Sequence, residues 1–370
     1  MNRLVAIDLP GGGRFVDELT DAWSHGDAVL PLDQRLSSSA KRSLVEHLGA
    51  STIVAVDETV HLSTGQPVEP GDALVISTSG TTGLPKGVVL TRDAVTASAV
   101  RSAAAIGQTS DDHWLACLPL AHIGGLSVVT RSLATGLPVT VHDGFDAEAV
   151  MRAARDCTLV SLVATALRRI DPNRFRRILL GGGRPPADRP ANCIATYGLT
   201  ETGSGVVYDG VALADVDIAI NPDGEILVKS PTNMRCYRDG STSIDDDGWL
   251  HTGDIGSLDD RGRLSVRGRR GDMINTGGEK VWPDAIEVIA SELDATAEHV
   301  VVGIDDDEWG QQVVIVTTST SLSLDHLRSV VRERIAPYAS PRRLVRVDSI
   351  PRTSIGKVVR SEVARSVRDS

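Results

Sequence analysis

Two scarcities, of cysteine and of long apolar runs, exclude several classes of protein before any motif is considered. Cys117, Cys157, Cys193 and Cys236 are scattered through 370 residues with no Cys-x-x-Cys pair. Neither a disulfide framework nor a cysteine metal site is expected, and three of the four lie in apolar surroundings that suit buried thiols. No run reaches the 18 or so apolar residues of a membrane-spanning helix. The opening Met-Asn-Arg-Leu-Val-Ala-Ile-Asp breaks its apolar stretch at Asp8 and has no signal-peptide core. A cytoplasmic protein without membrane insertion is expected. Positive charge is in deficit too: the net charge of -11 repels the phosphates of nucleic acids and anionic membranes, so any phosphate binding has to be local. Internal repeats and low-complexity tracts are absent.

What is present is ordinary globular composition, 41% hydrophobic and 24% charged, at a length that suits one large domain and a smaller one. Up to about residue 200, short apolar segments at 52–56, 73–76, 114–118, 139–142, 159–163, 178–180 and 194–196 alternate with helical stretches, which predicts an α/β sheet domain. From about Val216 the texture changes to strands and tight turns. Asn221-Pro222-Asp223-Gly224 leads into 225–228, and Asp259-Asp260-Arg261-Gly262 leads into 263–266, which predicts a small β subdomain. Residues 267–272, dense in charge and glycine, read as an interdomain linker. Beyond them an α+β unit is expected, with helices at 283–293 and 324–335, the second capped by Ser323, and strands at 300–304 and 313–317.

The most informative stretch is Thr78-Ser79-Gly80-Thr81-Thr82-Gly83-Leu84-Pro85-Lys86-Gly87. It follows an apolar strand, so it leaves the strand's carboxyl end, where ligands collect in open α/β sheets. Its glycines let backbone N–H groups approach phosphate oxygens, its hydroxyls add donors, and Lys86 adds a positive charge. It is not a Walker A loop, which requires Gly-Lys-Ser or Gly-Lys-Thr. A second apolar strand delivers Tyr197, Gly198, Thr200 and Glu201: a ring for a base, a hydroxyl for a phosphate and a hard oxygen ligand for Mg²⁺. In isolation this segment is also a plain polar turn. His251-Thr252-Gly253-Asp254 sets a carboxylate after a glycine turn, where it can hold two ribose hydroxyls. Lys357 sits in a glycine-containing loop near the end of the chain, where a lysine is ordinarily solvated.

Taken in order, residues 78–87, 197–201, 252–254, the pair Gly268-Arg269 and residues 351–357 resemble the adenylate-forming superfamily of acyl-CoA synthetases, peptide-synthetase adenylation domains and luciferases. The resemblance implies an N-terminal adenylation domain over 1–270 and a small mobile C-terminal domain over 271–370. It implies ATP, Mg²⁺ and coenzyme A as co-substrates and cofactor, and chemistry in two halves, acyl-adenylate and then thioester. By the same resemblance Thr78, Ser79, Gly80, Thr81, Thr82, Gly83 and Lys86 hold the phosphates; Tyr197 and the turn Gly181-Gly182-Gly183 flank adenine; Asp254 and Arg269 hold the ribose. Glu201 ligates Mg²⁺, Thr200 and Lys357 act with it in catalysis, Gly271 and Asp272 form the hinge, and Gly277, Gly278, Glu279 and Lys280 line the coenzyme A tunnel. Two features depart from the pattern: glycine at the hinge, and only 76 residues before Ser77, which fits a truncated fragment or, the favoured reading, a compact member with an abbreviated N-terminus.

The short N-terminus and residues 118–131 look like those of compact bacterial o-succinylbenzoate-CoA ligases of menaquinone biosynthesis, with His122, Gly125 and Gly198 at the acyl pocket. His122 reads equally as a structural histidine. Arg131 interrupts an apolar helix, and a buried arginine needs a partner. That partner is either an internal carboxylate or the second carboxylate of a small aryl dicarboxylic acid, gripped by the guanidinium fork. A ligase for another aromatic or fatty acid, and a non-catalytic nucleotide-binding relative, are the other readings. A homodimer is compatible with all of them.

Overall fold

The computed structural model describes residues 2–78, 85–183, 185–186, 188–352 and 358–368. The motif residues Ser79, Gly80, Thr81, Thr82 and Gly83, and Lys357, lie outside the described residues. The chain forms two compact units, one of residues 1–219, 227–252 and 262–264, the other of residues 220–226, 253–261 and 265–370.

In the first unit, strands β1 (Leu4–Asp8), β2 (Ala28–Pro31), β3 (Thr52–Ala55), β4 (Thr59–His61), β5 (Asp72–Thr78) and β6 (Lys86–Thr91) are followed by β7 (Trp114–Ala116), β8 (Val139–Val141), β9 (Leu159–Val163), β10 (Arg177–Gly181), β11 (Cys193–Leu199), β12 (Ser204–Tyr208) and β13 (Val211–Ala212). Helices α1 (Gly13–Ser24), α2 (Ser38–Leu48), α3 (Arg92–Ala105), α4 (Ile123–Thr135), α5 (Ala147–Ala153) and α6 (Ala164–Leu167) connect them. Three more strands follow, β14 (Asp217–Ile220), β15 (Glu225–Lys229) and β16 (Cys236–Tyr237). One seven-stranded sheet has the order β16-β6-β5-β2-β1-β3-β4 and another the order β13-β12-β11-β10-β9-β7-β8. Strands β9, β10 and β11 are parallel, so Gly181 and Leu199 both end at one carboxyl edge, where the connecting loops can gather a ligand.

Local sequence explains these elements. Leu74, Val75 and Ile76 of β5 are fully buried, as a strand covered on both faces requires, and each contributes about 1.5–3 kcal/mol by burial. Helix α1 buries Phe15, Leu19 and Ala22 on one stripe. Helix α3 is capped by Thr91, whose hydroxyl accepts from the Ala94 N–H, and α4 stops at Gly136, whose φ of +71° is left-handed. Burial pushes the Cys117 thiol up to about 12, so it behaves as a core hydrophobe.

After β17 (Leu250–Leu258) and β18 (Leu264–Arg269), which with β14 and β15 make a four-stranded sheet in the order β14-β15-β17-β18, the chain continues as β19 (Ile274–Thr276), β20 (Glu279–Val281), α7 (Pro283–Leu293), β21 (His299–Asp306), β22 (Gly310–Thr317), α8 (Leu324–Arg334), β23 (Arg343–Arg346) and α9 (Arg360–Ser366). Strands β20-β19-β22-β21, with β23 beside β22, form a sheet of its own. Its alternation serves two cores. Val301, Val313 and Ile315 pack with Ile286, Ile289, Leu327 and Val331 of α7 and α8; Val300, Val302, Val314 and Val316 pack with Val363 and Val367. In the expected linker over 267–272 the first three residues complete β18 and Arg270–Asp272 is a 3₁₀ turn, with the charges of Arg270 and Asp272 meeting Glu225 and Arg360. Among the described residues no helix is long and apolar enough to cross a membrane.

Candidate active site

In the first unit, β5 and β6 form an antiparallel pair in which Thr78 stands opposite Lys86, so the phosphate-loop motif joins adjacent strand ends. Lys86 Nζ lies 4.3 Å from the centroid of the Tyr237 ring. The Tyr237 hydroxyl donates to Glu201 Oε1 at 3.1 Å, and the Met234 N–H donates to the Glu201 carbonyl at 2.7 Å. The structure thereby brings Lys86 and Glu201, 115 positions apart in the chain (201 − 86), to one side chain that the motifs do not contain.

Glu201 belongs to the 3₁₀ turn Thr200–Thr202. The fully buried Thr202 accepts from the Leu199 N–H (2.8 Å) and its hydroxyl lies 2.7 Å from the Ser204 carbonyl. Ser204 has φ +137°, a conformation that side chains rarely adopt and that marks stored strain beside a site. It follows a bulge at Tyr197/Gly198, where β11 leaves regular pairing with β12. A Cβ on Gly198 would stand 2.0 Å from the Ser204 carbonyl oxygen, so only glycine fits. Gly182, after β10, has φ +80°, and Gly181 approaches the Thr196 hydroxyl; the turn Gly181-Gly182-Gly183 and Tyr197 thus leave neighbouring parallel strands.

Of the expected acyl-pocket residues, Gly125 and Arg131 lie on α4 and His122 at its N-cap, while Gly198 lies on β11. Gly125 lies so close to the backbone of Leu118 and Pro119 that a Cβ would meet their oxygens at 2.5 and 2.4 Å, a packing requirement in itself. His122, at the N-cap of α4, places Nε2 3.3 Å from Asp33 Oδ2; buried Asp33 also takes a bidentate contact from Arg35. Arg131 is 1% exposed. Its guanidinium stacks 4.6 Å from the centroid of Trp114, and among the described residues its Nε and Nη1 have no hydrogen-bond partner. Among the described residues no carboxylate pairs with it. Burial lowers its pKa from the ordinary value of a guanidinium, the Tyr208 group acting the other way. One turn earlier on the same helix face, Ser127 meets the Ser204 hydroxyl at 3.3 Å.

In the second unit, Arg269 Nε lies 2.8 Å from Asp254 Oδ1. The preceding Gly253 (φ +71°) donates its N–H to Glu225 Oε1 at 2.9 Å, and Glu225 Oε2 accepts from Arg270 at 3.3 Å. Glu225 therefore fixes the turn that presents Asp254. Arg270 also lies 3.8 Å from Asp223, while Asp272 lies 3.4 Å from Arg360 Nε. Between these anchored residues Gly271 has open space where a Cβ would be. The loop Gly277-Gly278 turns from β19 to β20 with φ of +60° and +82°, as a two-residue hairpin with both central residues left-handed requires; Glu279 and Lys280 follow on β20. The ring of Trp309 would stand 2.9 Å from a Cβ on Gly277.

The described residues contain no group of three or more metal-ligating side chains. A lone carboxylate such as Glu201 fits Mg²⁺, which is commonly held by one or two carboxylates together with substrate phosphates. Tyr237, Glu225 and Ser204 carry no motif, so sequence reasoning passes over them.

The AMP-binding enzyme model matches residues 30–238 and the AMP-binding enzyme C-terminal domain matches residues 285–357. The chain belongs to the AMP-binding enzyme family. Relatives include a 2-succinylbenzoate–CoA ligase of Bacillus anthracis, 34% identical over 337 residues, with 80% of this chain and 70% of that protein covered. One of Listeria monocytogenes is 35% identical, covering 79% and 69%. Among solved structures, o-succinylbenzoate CoA synthetase from Bacillus subtilis in complex with an acyl-adenylate intermediate superposes with a TM-score of 0.87 at 29% identity, covering 98% of this chain and 88% of that one. The same enzyme with ATP and magnesium ion gives 0.84 at 30% identity, covering 97% and 89%. The mixed α/β architecture is that of adenylate-forming enzymes.

Proposed function

We propose that this protein is an AMP-forming acid–CoA ligase that activates 2-succinylbenzoate. The observation that carries the reading is the placement of Glu201 and Lys86 against one tyrosine at the strand ends, which sets a metal-binding carboxylate beside a phosphate-binding ammonium. The named relatives support the choice of acid, and so does Arg131, a buried guanidinium with unused donors.

In this reading the substrate carboxylate attacks the α-phosphorus of ATP and pyrophosphate leaves; coenzyme A sulfur then attacks the acyl carbonyl and AMP leaves. Thr78, Thr200 and Lys86 bind the phosphates, Asp254 and Arg269 the ribose, Tyr197 and Gly181-Gly182-Gly183 the adenine. Glu201 would hold Mg²⁺, which when bound offsets the phosphate charge. Lys357 stabilises charge developing at the α-phosphate. The C-terminal domain expected over 271–370 then turns about Gly271, a residue free to absorb the φ/ψ change, and Gly277, Gly278, Glu279 and Lys280 meet coenzyme A. His122, Gly125 and Gly198 line the acyl pocket, and Arg131 receives the carboxylate that is not adenylated. The protein works in the cytoplasm on a small aryl dicarboxylic acid.

The test is incubation with Mg·ATP, coenzyme A and 2-succinylbenzoate, with mass detection of AMP and the thioester. Both products are expected; activity confined to benzoates or fatty acids would overturn the acid. Lys357→Ala should lose adenylation by 10²-fold or more, on the scale of removing one charge-stabilising group, yet still form thioester from supplied acyl-adenylate. Equal loss of both halves would contradict the turning of the C-terminal unit.

A further inference from the structure

Tyr237 has no role in the chemistry above, yet it touches two of its residues. It lies in the two-residue strand β16, opposite Val88 of β6. Lys86 is two positions from Val88, on the same face and diagonal to Tyr237, within reach of an aromatic side chain. The ring meets the Lys86 ammonium and the hydroxyl meets Glu201 Oε1. Tyr237 is 9% exposed and its two partners are half-buried, so its side of both contacts is shielded from water, which favours cation–π attraction and a charge-assisted hydrogen bond.

Two consequences follow from the chemistry of the partners. A carboxylate that serves as a lone protein ligand rotates freely unless one oxygen is held; here Oε1 is held, which fixes the direction of the other. Opposite charges brought to one place also tend to pair with each other. No ion pair joins Lys86 to Glu201, and each instead contacts Tyr237.

The geometry points to Tyr237 as a positioning residue: it orients the Glu201 carboxylate toward a phosphate-bound divalent cation and keeps that carboxylate and the Lys86 ammonium from quenching each other. This rests on the reading of Glu201 as the metal-binding carboxylate. Partners that orient a metal ligand typically change metal affinity by about 10–100-fold when removed.

The test uses the full chain without acid substrate, so that ATP is not consumed. Titration calorimetry measures binding of Mn²⁺·ATP and of metal-free ATP to the wild type, Tyr237→Phe, Glu201→Gln and the double variant, and the ratio of the two affinities is the readout. Tyr237→Phe keeps the ring and loses the hydroxyl; it should reduce the ratio about tenfold while metal-free ATP stays within about twofold. Glu201→Gln should reduce the ratio at least as much, and the double variant no further, since the two changes remove one device. A wild-type ratio in Tyr237→Phe beside a reduced one in Glu201→Gln would overturn the role of the tyrosine and leave the metal reading intact. A wild-type ratio in Glu201→Gln would overturn the metal reading itself. A drop in thermal midpoint for Tyr237→Phe with an unchanged ratio would mark the hydroxyl as structural and also overturn the proposal.

Discussion

Each unit withdraws an arginine from solvent, Arg131 almost wholly and Arg360 to 20% side-chain exposure, and the two are treated in opposite ways. Arg360, at the start of α9, donates to Asp284 (2.8 Å), to both oxygens of Glu287 and to the Val301 carbonyl (2.9 Å), with Asp272 at 3.4 Å. Burial would lower its pKa, but the hydrogen bond to Glu287 and the charges of Glu287, Asp284 and Asp272 raise it well above the ordinary value of a guanidinium. Arg131, on α4, has an aromatic ring and two unused donors, and its pKa is lowered. A cation wrapped in carboxylates is internally complete, and its work is to hold structure. One left with buried, unsatisfied donors costs free energy in the free protein. Such a cost is tolerated where a ligand supplies the missing acceptor.

The comparison breaks first if Arg360 proves dispensable. Arg360→Ala leaves Asp272, Asp284 and Glu287 close together without their counter-charge. Breaking a buried ion pair from one side costs about 3–5 kcal/mol, and because the Arg360 side chain is 20% exposed the lower end, about 3 kcal/mol, is expected. Urea unfolding followed by tryptophan fluorescence reads this as a lower midpoint for the unit that contains Trp282 and Trp309. Arg360→Lys should recover less than half of the loss, since an ammonium cannot make the bidentate contact. A loss below about 1 kcal/mol would place the cluster among exposed pairs of little worth.

Arg131 sharpens the comparison from the other side. Arg131→Leu replaces an unsatisfied buried cation by an apolar group of similar volume, a change that is often neutral or stabilising. Stability should therefore hold or rise by up to about 1 kcal/mol. Activity should fall: kcat/KM for 2-succinylbenzoate drops about 10²-fold, the equivalent of about 2.7 kcal/mol for a lost bidentate charged contact, while an analogue without the second carboxylate is processed as before. Lost stability with unchanged acid preference would make Arg131 a packing residue like its neighbours.

The same contrast shows what a linear reading can reach. Strand β5 is legible because a buried strand spells a continuous apolar run, and helix Pro283–Leu293 because proline at its start and apolar spacing mark it. Strand β2 is four residues ending at Pro31, too short to display a period. Within the site, residues tied to a spelled motif, such as Lys86, Glu201 and Asp254, could be named directly. Tyr237 and Glu225 could not: Tyr237 meets Glu201 across 36 residues and Glu225 meets Gly253 across 28, and only the folded sheets bring those positions together. The buried setting of Arg131 was readable from its apolar helix. That its neighbour would be Trp114 rather than a carboxylate was not, since β7 and α4 are joined by tertiary packing alone.

The smallest effect concerns that ring. If the donors of Arg131 are held in reserve for a ligand, the flat face of its guanidinium still needs a compatible surface, and Trp114, itself 1% exposed, supplies one. Trp114→Phe alone confuses two losses, because the indole N–H also donates to Gln108 at 3.0 Å. A double-mutant cycle with Arg131→Leu cancels that second loss and isolates the stacking. A coupling of about 1 kcal/mol is expected for a desolvated cation–π contact, measured as the difference in unfolding free energy around the cycle. A coupling near zero would mean that nothing in the protein stabilises this cation before a carboxylate arrives, and the contrast with Arg360 would be sharper than the ring contact suggests. A coupling above about 3 kcal/mol would mean that the ring already satisfies Arg131, and the case for a ligand carboxylate would lose its physical ground.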